Sequence, residues 1–362
     1  MERVHNFNAG PAALPESVIQ QAKEELLNFQ QTGMSIMEMS HRSKEYDLIH
    51  NETKQLLLEL LSIPNDYEIL FLQGGASQQF ALIPMNFLSS NQKAYYVMTG
   101  SWSEKALKEA KKIGQAVEFL SSKEDLYRYI PTIEDKKVKQ LEDAAYLHLT
   151  SNNTIYGTQW NQFPNYKVPL FADMSSDIMS REIKIEQFDF IYAGAQKNLG
   201  PAGVTVVIMK KSLIEQCNRS IPAIFQYKTH ANKNSLYNTP PTFSIYMLSL
   251  VLEWIKQNGG IQQVETINNQ KAKLLYDTID NSQGFYTAHA LKDSRSKMNV
   301  TFTLKDEHLT NLFLKEAKEH QFIGLNGHRS IGGCRASIYN AVSLNSVQQL
   351  SQFMHNFQKR YE

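Results

Sequence analysis

The sequence predicts an α/β fold, a mostly parallel sheet flanked by helices, joined to a smaller α+β lobe. Three observations lead there. Short apolar runs alternate with amphipathic stretches, and each run ends in polar or glycine-containing residues. After Gly259-Gly260 the chain changes to longer helical segments interrupted by two strands. A chain of 362 residues also exceeds the roughly 100–200 residues of one ordinary domain, so two lobes are expected. The bounds that follow are 16–258 for the large lobe, with 1–15 and 259–362 forming the small one.

The candidate strands of the large lobe are Glu68 to Leu72, Tyr95 to Met98, Tyr146 to Leu149, Val168 to Ala172, Phe190 to Ala193 and Val204 to Met209. Ligand groups are expected where such strands end at their carboxyl side. Ser101 with Glu104 makes a capping-box pattern ahead of an apolar face (Ala106, Leu107, Ala110, Ile113), and Gly114 stops that helix. A second helix starts after Pro240-Pro241 near Thr242 and ends at Gly259-Gly260. Strands at Asn299 to Leu304 and Arg335 to Tyr339 belong to the small lobe, which the N-terminal segment is expected to join.

Composition narrows the chemistry. Lys plus Arg number 37 against 36 for Asp plus Glu, so no overall field recruits nucleic acid or an anionic membrane, and anion recognition must be local. The two cysteines, Cys217 and Cys334, lack CxxC spacing, which argues against a disulfide framework or a thiolate zinc site. No metal site is expected. A reducing cytoplasm fits, and the first ten residues lack the basic-then-apolar layout of an export signal.

The sharpest local feature is Lys197, in Tyr192-Ala193-Gly194-Ala195-Gln196-Lys197-Asn198-Leu199-Gly200, among small residues between two strands. Small neighbours allow close approach to the backbone, and a confined lysine loses its proton readily enough to attack an aldehyde; by itself it reads equally as a solvated loop lysine. Asp173 ends the run Val168 to Ala172, where a carboxylate could keep a pyridinium nitrogen protonated or cap a turn. Gln73-Gly74-Gly75-Ala76-Ser77 joins a strand to a helix start near Ser77 and could hold a phosphate on backbone amides. It matches neither GxGxxG nor the P-loop, which leaves a nucleotide reading little support. Trp102 and Thr154 each follow a strand; the indole could cover a planar ring or pack against helices, and the hydroxyl could donate to a ring oxygen or form a turn. Two basic segments, Met39-Ser40-His41-Arg42-Ser43 and Gly327-His328-Arg329 through Arg335, offer forks suited to carboxylate and phosphate.

Together these segments resemble the phosphoserine aminotransferase family within the class V, fold type I pyridoxal phosphate enzymes. The likeness runs from Phe7-Asn8-Ala9-Gly10-Pro11 through Glu38 to Ser43, Gln196-Lys197-Asn198, Tyr237-Asn238-Thr239-Pro240-Pro241-Thr242 and Gly327-His328-Arg329-Ser330, and so spans the chain. It implies a seven-stranded sheet in a pyridoxal phosphate-binding domain, and a Schiff base on Lys197, which moves the α-proton. Asp173 is implied to bind the pyridine nitrogen, Trp102 to stack on the ring, Thr154 to bond its hydroxyl, and Ala76, Ser77 and Gln196 to hold the phosphate. Asn238 and Thr239 are implied to reach that phosphate from a second subunit, making a homodimer with shared sites. Arg335 would take the substrate α-carboxylate, and His41, Arg42, His328 and Arg329 the distal anion. Many relatives carry arginine where this sequence has Ser77.

The implied reaction moves the amino group from L-glutamate to 3-phosphohydroxypyruvate, giving O-phospho-L-serine and 2-oxoglutarate in serine biosynthesis; 4-phosphohydroxy-L-threonine formation in pyridoxine biosynthesis is a second expectation. A cysteine desulfurase would need a mobile thiol near the cofactor, and Cys334 lies within the His-Arg-Gly-Gly segment instead. A catalytically silent scaffold of the same fold is the other alternative.

Overall fold

The computed structural model describes residues 3–132, 138–218 and 220–362. Seven strands form the main sheet, in the spatial order Tyr67–Leu72, Thr205–Lys210, Phe190–Gly194, Leu170–Asp173, Ala144–Thr150, Lys93–Met98 and Ala116–Ser121. All neighbours run parallel except Thr205–Lys210, which is antiparallel to both of its partners. Six of the seven match the candidate strands to within a few residues at their ends. The seventh, Ala116–Ser121, escaped the hydrophobic pattern because it is an edge strand whose Val117 and Glu118 face solvent.

Period-two alternation places the strand residues in two cores, one on each side of the sheet. Leu170 and Ala172 point into one, with Ile191, Ala193, Val206 and Ile208. Phe171 points into the other, stacked on Tyr146 at 4.6 Å, with Phe190, Tyr192 and Val207. Burying each such side chain contributes about 1.5–3 kcal/mol. Both sides being covered, the central strands read as continuous apolar runs.

A third core lies around the antiparallel sheet Tyr286–Ala288, Asn299–Leu304, Cys334–Ser337 and the helices Gly260–Asp280, Glu307–Glu319 and Leu344–Tyr361. Phe7 packs into it, and His5–Asn6 pairs in parallel with Phe322–Ile323. The architecture is thus a larger α/β unit with a smaller α+β unit.

The helix after Pro240-Pro241 spans Thr242–Gln257 and stops before Gly259, whose φ is 91°. Helix Ser101–Ala110 forms as expected but is capped differently. Gly100 is its N-cap, and Ser103 Oγ accepts the Gly100 and Thr99 amides at 3.1 and 3.0 Å. Glu104 cannot close the Ser101 box because its carboxylate is held by Lys123 and the Tyr127 hydroxyl.

Candidate active site

The register across the sheet aligns Thr150 and Asp173, the last residues of their strands, with Tyr192, two residues before the end of Phe190–Gly194. Loops leaving those ends therefore converge, and they enclose a cavity of about 300 Å³. Lys197 enters it from the turn after Phe190–Gly194. Burial pulls its ammonium down to a pKa of about 8, against the opposing pull of Asp173, with Arg335 adding to the lowering. Asp173 sits on the same floor. Its Oδ1 accepts both the Ser175 amide at 3.0 Å and the Ser175 hydroxyl at 2.6 Å. Its Oδ2 takes no hydrogen bond among the described residues, so one carboxylate oxygen is open toward the cavity. Burial pushes the Asp173 carboxyl upward, and Ser175 and the Lys197 charge oppose that.

The walls come from two helix starts. Gly74 and Gly75, at φ 86° and 67°, turn the chain from strand Tyr67–Leu72 into helix Gly75–Phe87. Ala76 and Ser77 thereby line the cavity within a first turn whose amides have no intrahelical acceptors. Trp102, from helix Ser101–Ala110, donates from Nε1 to Thr154 Oγ1 at 3.1 Å, which fixes the indole plane beside Lys197, whose Nζ is 5.9 Å from the ring centroid. Gln196 completes this side.

The mouth is basic. Arg335, on Cys334–Ser337, donates from one terminal nitrogen to the Thr154 carbonyl at 2.9 Å, while its buried Nε has no partner. His328 lines the cavity next to it, with Nδ1 on the Ser330 hydroxyl at 2.7 Å. Burial and the nearby Arg335, Arg329 and Lys105 charges hold this imidazole below its ordinary pKa.

Nine of the sequence-selected residues thus share one cavity: Ala76, Ser77, Trp102, Thr154, Asp173, Gln196, Lys197, His328 and Arg335. Five do not line it within a single chain. Arg42 and Arg329 are exposed, His41 is half-buried in the turn before helix Lys44–Leu60, and Asn238 and Thr239 are exposed before Pro240. Thr239 accepts from Gln73 Nε2 through its carbonyl at 2.7 Å, close to the glycine turn.

Sequence reasoning missed several supports. Ser175 orients Asp173, and Asn198 ties the Lys197 turn to the Ile178 carbonyl at 3.1 Å and to the Asn340 amide at 3.1 Å. Asp177, a second buried carboxylate, is bonded by Ser151 and Gln159. Its spacing of four from Asp173 was the available signal.

The family model for class V aminotransferases matches residues 4–350. The phosphoserine aminotransferase of Bacillus subtilis (strain 168) is 60% identical over 362 residues, covering 100% of both chains. The chain belongs to the phosphoserine aminotransferase family. Its relative from Geobacillus kaustophilus (strain HTA426) is 59% identical, again over 100% of both chains. Among solved structures, the phosphoserine aminotransferase from Bacillus circulans subsp. alkalophilus superposes with a TM-score of 0.97 at 52% identity, covering 100% of each chain. Another phosphoserine aminotransferase, studied for radiation damage of its Schiff base, gives 0.96 at 57% identity over 99% and 100% of the two chains. Phosphoserine aminotransferases are fold type I enzymes that use pyridoxal phosphate. The cavity fits that group: an open carboxylate oxygen on the floor, a deprotonatable lysine beside an indole, and a helix N-terminus for the phosphate.

Proposed function

We propose that this chain transfers the amino group of L-glutamate to 3-phosphohydroxypyruvate, yielding O-phospho-L-serine and 2-oxoglutarate in serine biosynthesis. The observation that carries the reading is the enclosure of Lys197 and the open Asp173 Oδ2 in one cavity beneath Arg335 and His328. Bound pyridoxal phosphate supplies a ring that draws electrons from the substrate α-carbon. Asp173 Oδ2 accepts the ring N–H and keeps it protonated. Trp102 covers the ring, Thr154 Oγ1 donates to the ring oxygen, and the Ala76 and Ser77 amides with Gln196 hold the phosphate. Lys197 Nζ, whose proton burial loosens, carries the proton between carbon atoms.

Arg335 keeps one terminal nitrogen without a partner among the described residues, and this nitrogen binds the α-carboxylate. His328 and Arg329 from this chain, with His41 and Arg42 of a second copy, receive the distal group. One such set accepts either a phosphate or the glutamate γ-carboxylate, as a two-substrate site requires. The proposal includes a homodimer in which Asn238 and Thr239 reach the partner's cofactor phosphate; their exposure in the single chain supports it. It also includes the division into 16–258 and 1–15 plus 259–362, supported by Phe7 in the third core. Two free, buried cysteines fit a reducing compartment, the cytoplasm.

Neither cysteine favours the desulfurase alternative. Cys334 lies fully buried in the third core, and burial raises both thiols, Cys217 to about 11. A coupled assay with glutamate and a panel of keto acids tests the proposal. 3-Phosphohydroxypyruvate is expected to turn over fastest; faster turnover of an unphosphorylated keto acid would sink it.

A further inference from the structure

One cation beside the cavity takes no part in the roles above. Lys105 lies one helical turn after Trp102, and its Nζ stands 4.3 Å from the centroid of the Trp102 ring. It is exposed and makes no ion pair among the described residues, since the adjacent Glu104 carboxylate is held by Lys123 and Tyr127. The ring beneath it lines the cavity together with His328 and Arg335. Lys105 is close enough to His328 for its charge to lower that imidazole's pKa, after burial, Arg335 and Arg329. A neutral His328 brings hydrogen bonds but no charge to an anion. Elsewhere in the lining, position 77 is Ser77, and no residue of the first turn of Gly75–Phe87 is basic.

We propose that Lys105 is a specificity-determining residue that binds the distal phosphate of the keto acid, supplying a positive charge from the Trp102 helix at the mouth of the cavity. This rests on the transaminase reading above. An ammonium on a flexible stem is a point charge without bidentate geometry, so it gains more from a dianionic phosphate than from the single charge of a γ-carboxylate. Its resting contact with the half-buried indole leaves the ammonium itself in solvent, where it is weak and readily exchanged for a phosphate oxygen. The residue therefore discriminates between the two substrates that share the mouth.

The test compares holoenzyme carrying Lys105→Met, which keeps an apolar stem over the indole, with Lys105→Arg, which keeps the charge. Lys105→Met is expected to raise the KM for 3-phosphohydroxypyruvate about 5- to 10-fold and that for glutamate less than about 2-fold. The ionic-strength dependence of kcat/KM for the keto acid should flatten in parallel, competitive inhibition by inorganic phosphate should weaken by the same factor, and Lys105→Arg should restore all three. An unchanged KM, or an equal rise for both substrates, would overturn the assignment, the latter because it marks a role in packing Trp102. The parent enzyme in the same assay separates the two claims. If it fails to use 3-phosphohydroxypyruvate, the transaminase reading falls; if it succeeds and Lys105→Met matches it, only the Lys105 assignment falls.

Discussion

Lys197 and Asp173 show what was legible residue by residue. Both stand at the carboxyl ends of apolar strands, where side chains must face a crevice, and small neighbours around Lys197 announce close approach. Ser175 and Asn198 carried no such mark, because their roles depend on contacts made only after folding. Asn198 meets Asn340, 142 residues further along the chain. The prediction at this scale concerns the proton on Lys197. Burial lowers its pKa from 10.5 to about 8, so the amine is protonated and unreactive below that value and free above it. Uptake of pyridoxal phosphate by the apo protein, followed by its absorption band, should therefore rise about tenfold per pH unit until near pH 8 and then level. A rise continuing to pH 10 would place Lys197 in water. Lys197→Ala should lower turnover by more than about a thousandfold.

At the scale of elements, the strand Cys334–Ser337 is placed by two devices that pattern analysis did not reveal. Lys271, fully buried on helix Gly260–Asp280, donates to the carbonyls of Ile338, Tyr339 and Val342 at 2.8–3.0 Å. Burial pushes its pKa to about 7, yet three donated bonds require all three ammonium protons. In the sequence it is an unremarkable helical lysine. Gly333 is the other device, at φ 64°, where a Cβ would lie 2.5 Å from the Phe302 carbonyl oxygen and 2.9 Å from Thr303 Cγ2. Gly333→Ala must push the strand away from its neighbour Asn299–Leu304 and displace Arg335 with it. It is expected to destabilise the fold by about 1–3 kcal/mol and to raise KM for both substrates with little effect on cofactor uptake. Thermal unfolding and steady-state kinetics check this; wild-type KM values in a destabilised variant would refute the link to Arg335.

For the whole molecule, the outstanding feature is that Asn238, Thr239, Arg42 and Arg329 are exposed in the single chain while nine other site residues share one cavity. Shared sites make a prediction that independent sites do not. Protein carrying Lys197→Ala, mixed and reassembled with protein carrying Asn238→Ala and Thr239→Ala, should recover activity at limiting cofactor. In each hybrid dimer one site holds both lesions and the other neither, so recovery should approach about a quarter of wild type. Equilibrium sedimentation gives the mass of the assembly in parallel. No recovery from verified hybrids would mean that each site is built within one chain.

By itself the sequence determined the layer architecture, six strands of the main sheet and the helix limits at Pro241 and Gly259, and it singled out Lys197 and Asp173 only as members of a set, since each alone had an ordinary loop or turn reading. These follow from local causes: hydrophobic period, turn chemistry and the small residues that close approach requires. The tertiary structure alone decided the half-exposed edge strand at Ala116–Ser121, the replacement of the Ser101–Glu104 cap by Ser103, the bracing of Asp173 by Ser175, and the meeting of Lys105 with the Trp102 face at the mouth. Each depends on which chemically ordinary residues register, packing and the competition for Glu104 bring together.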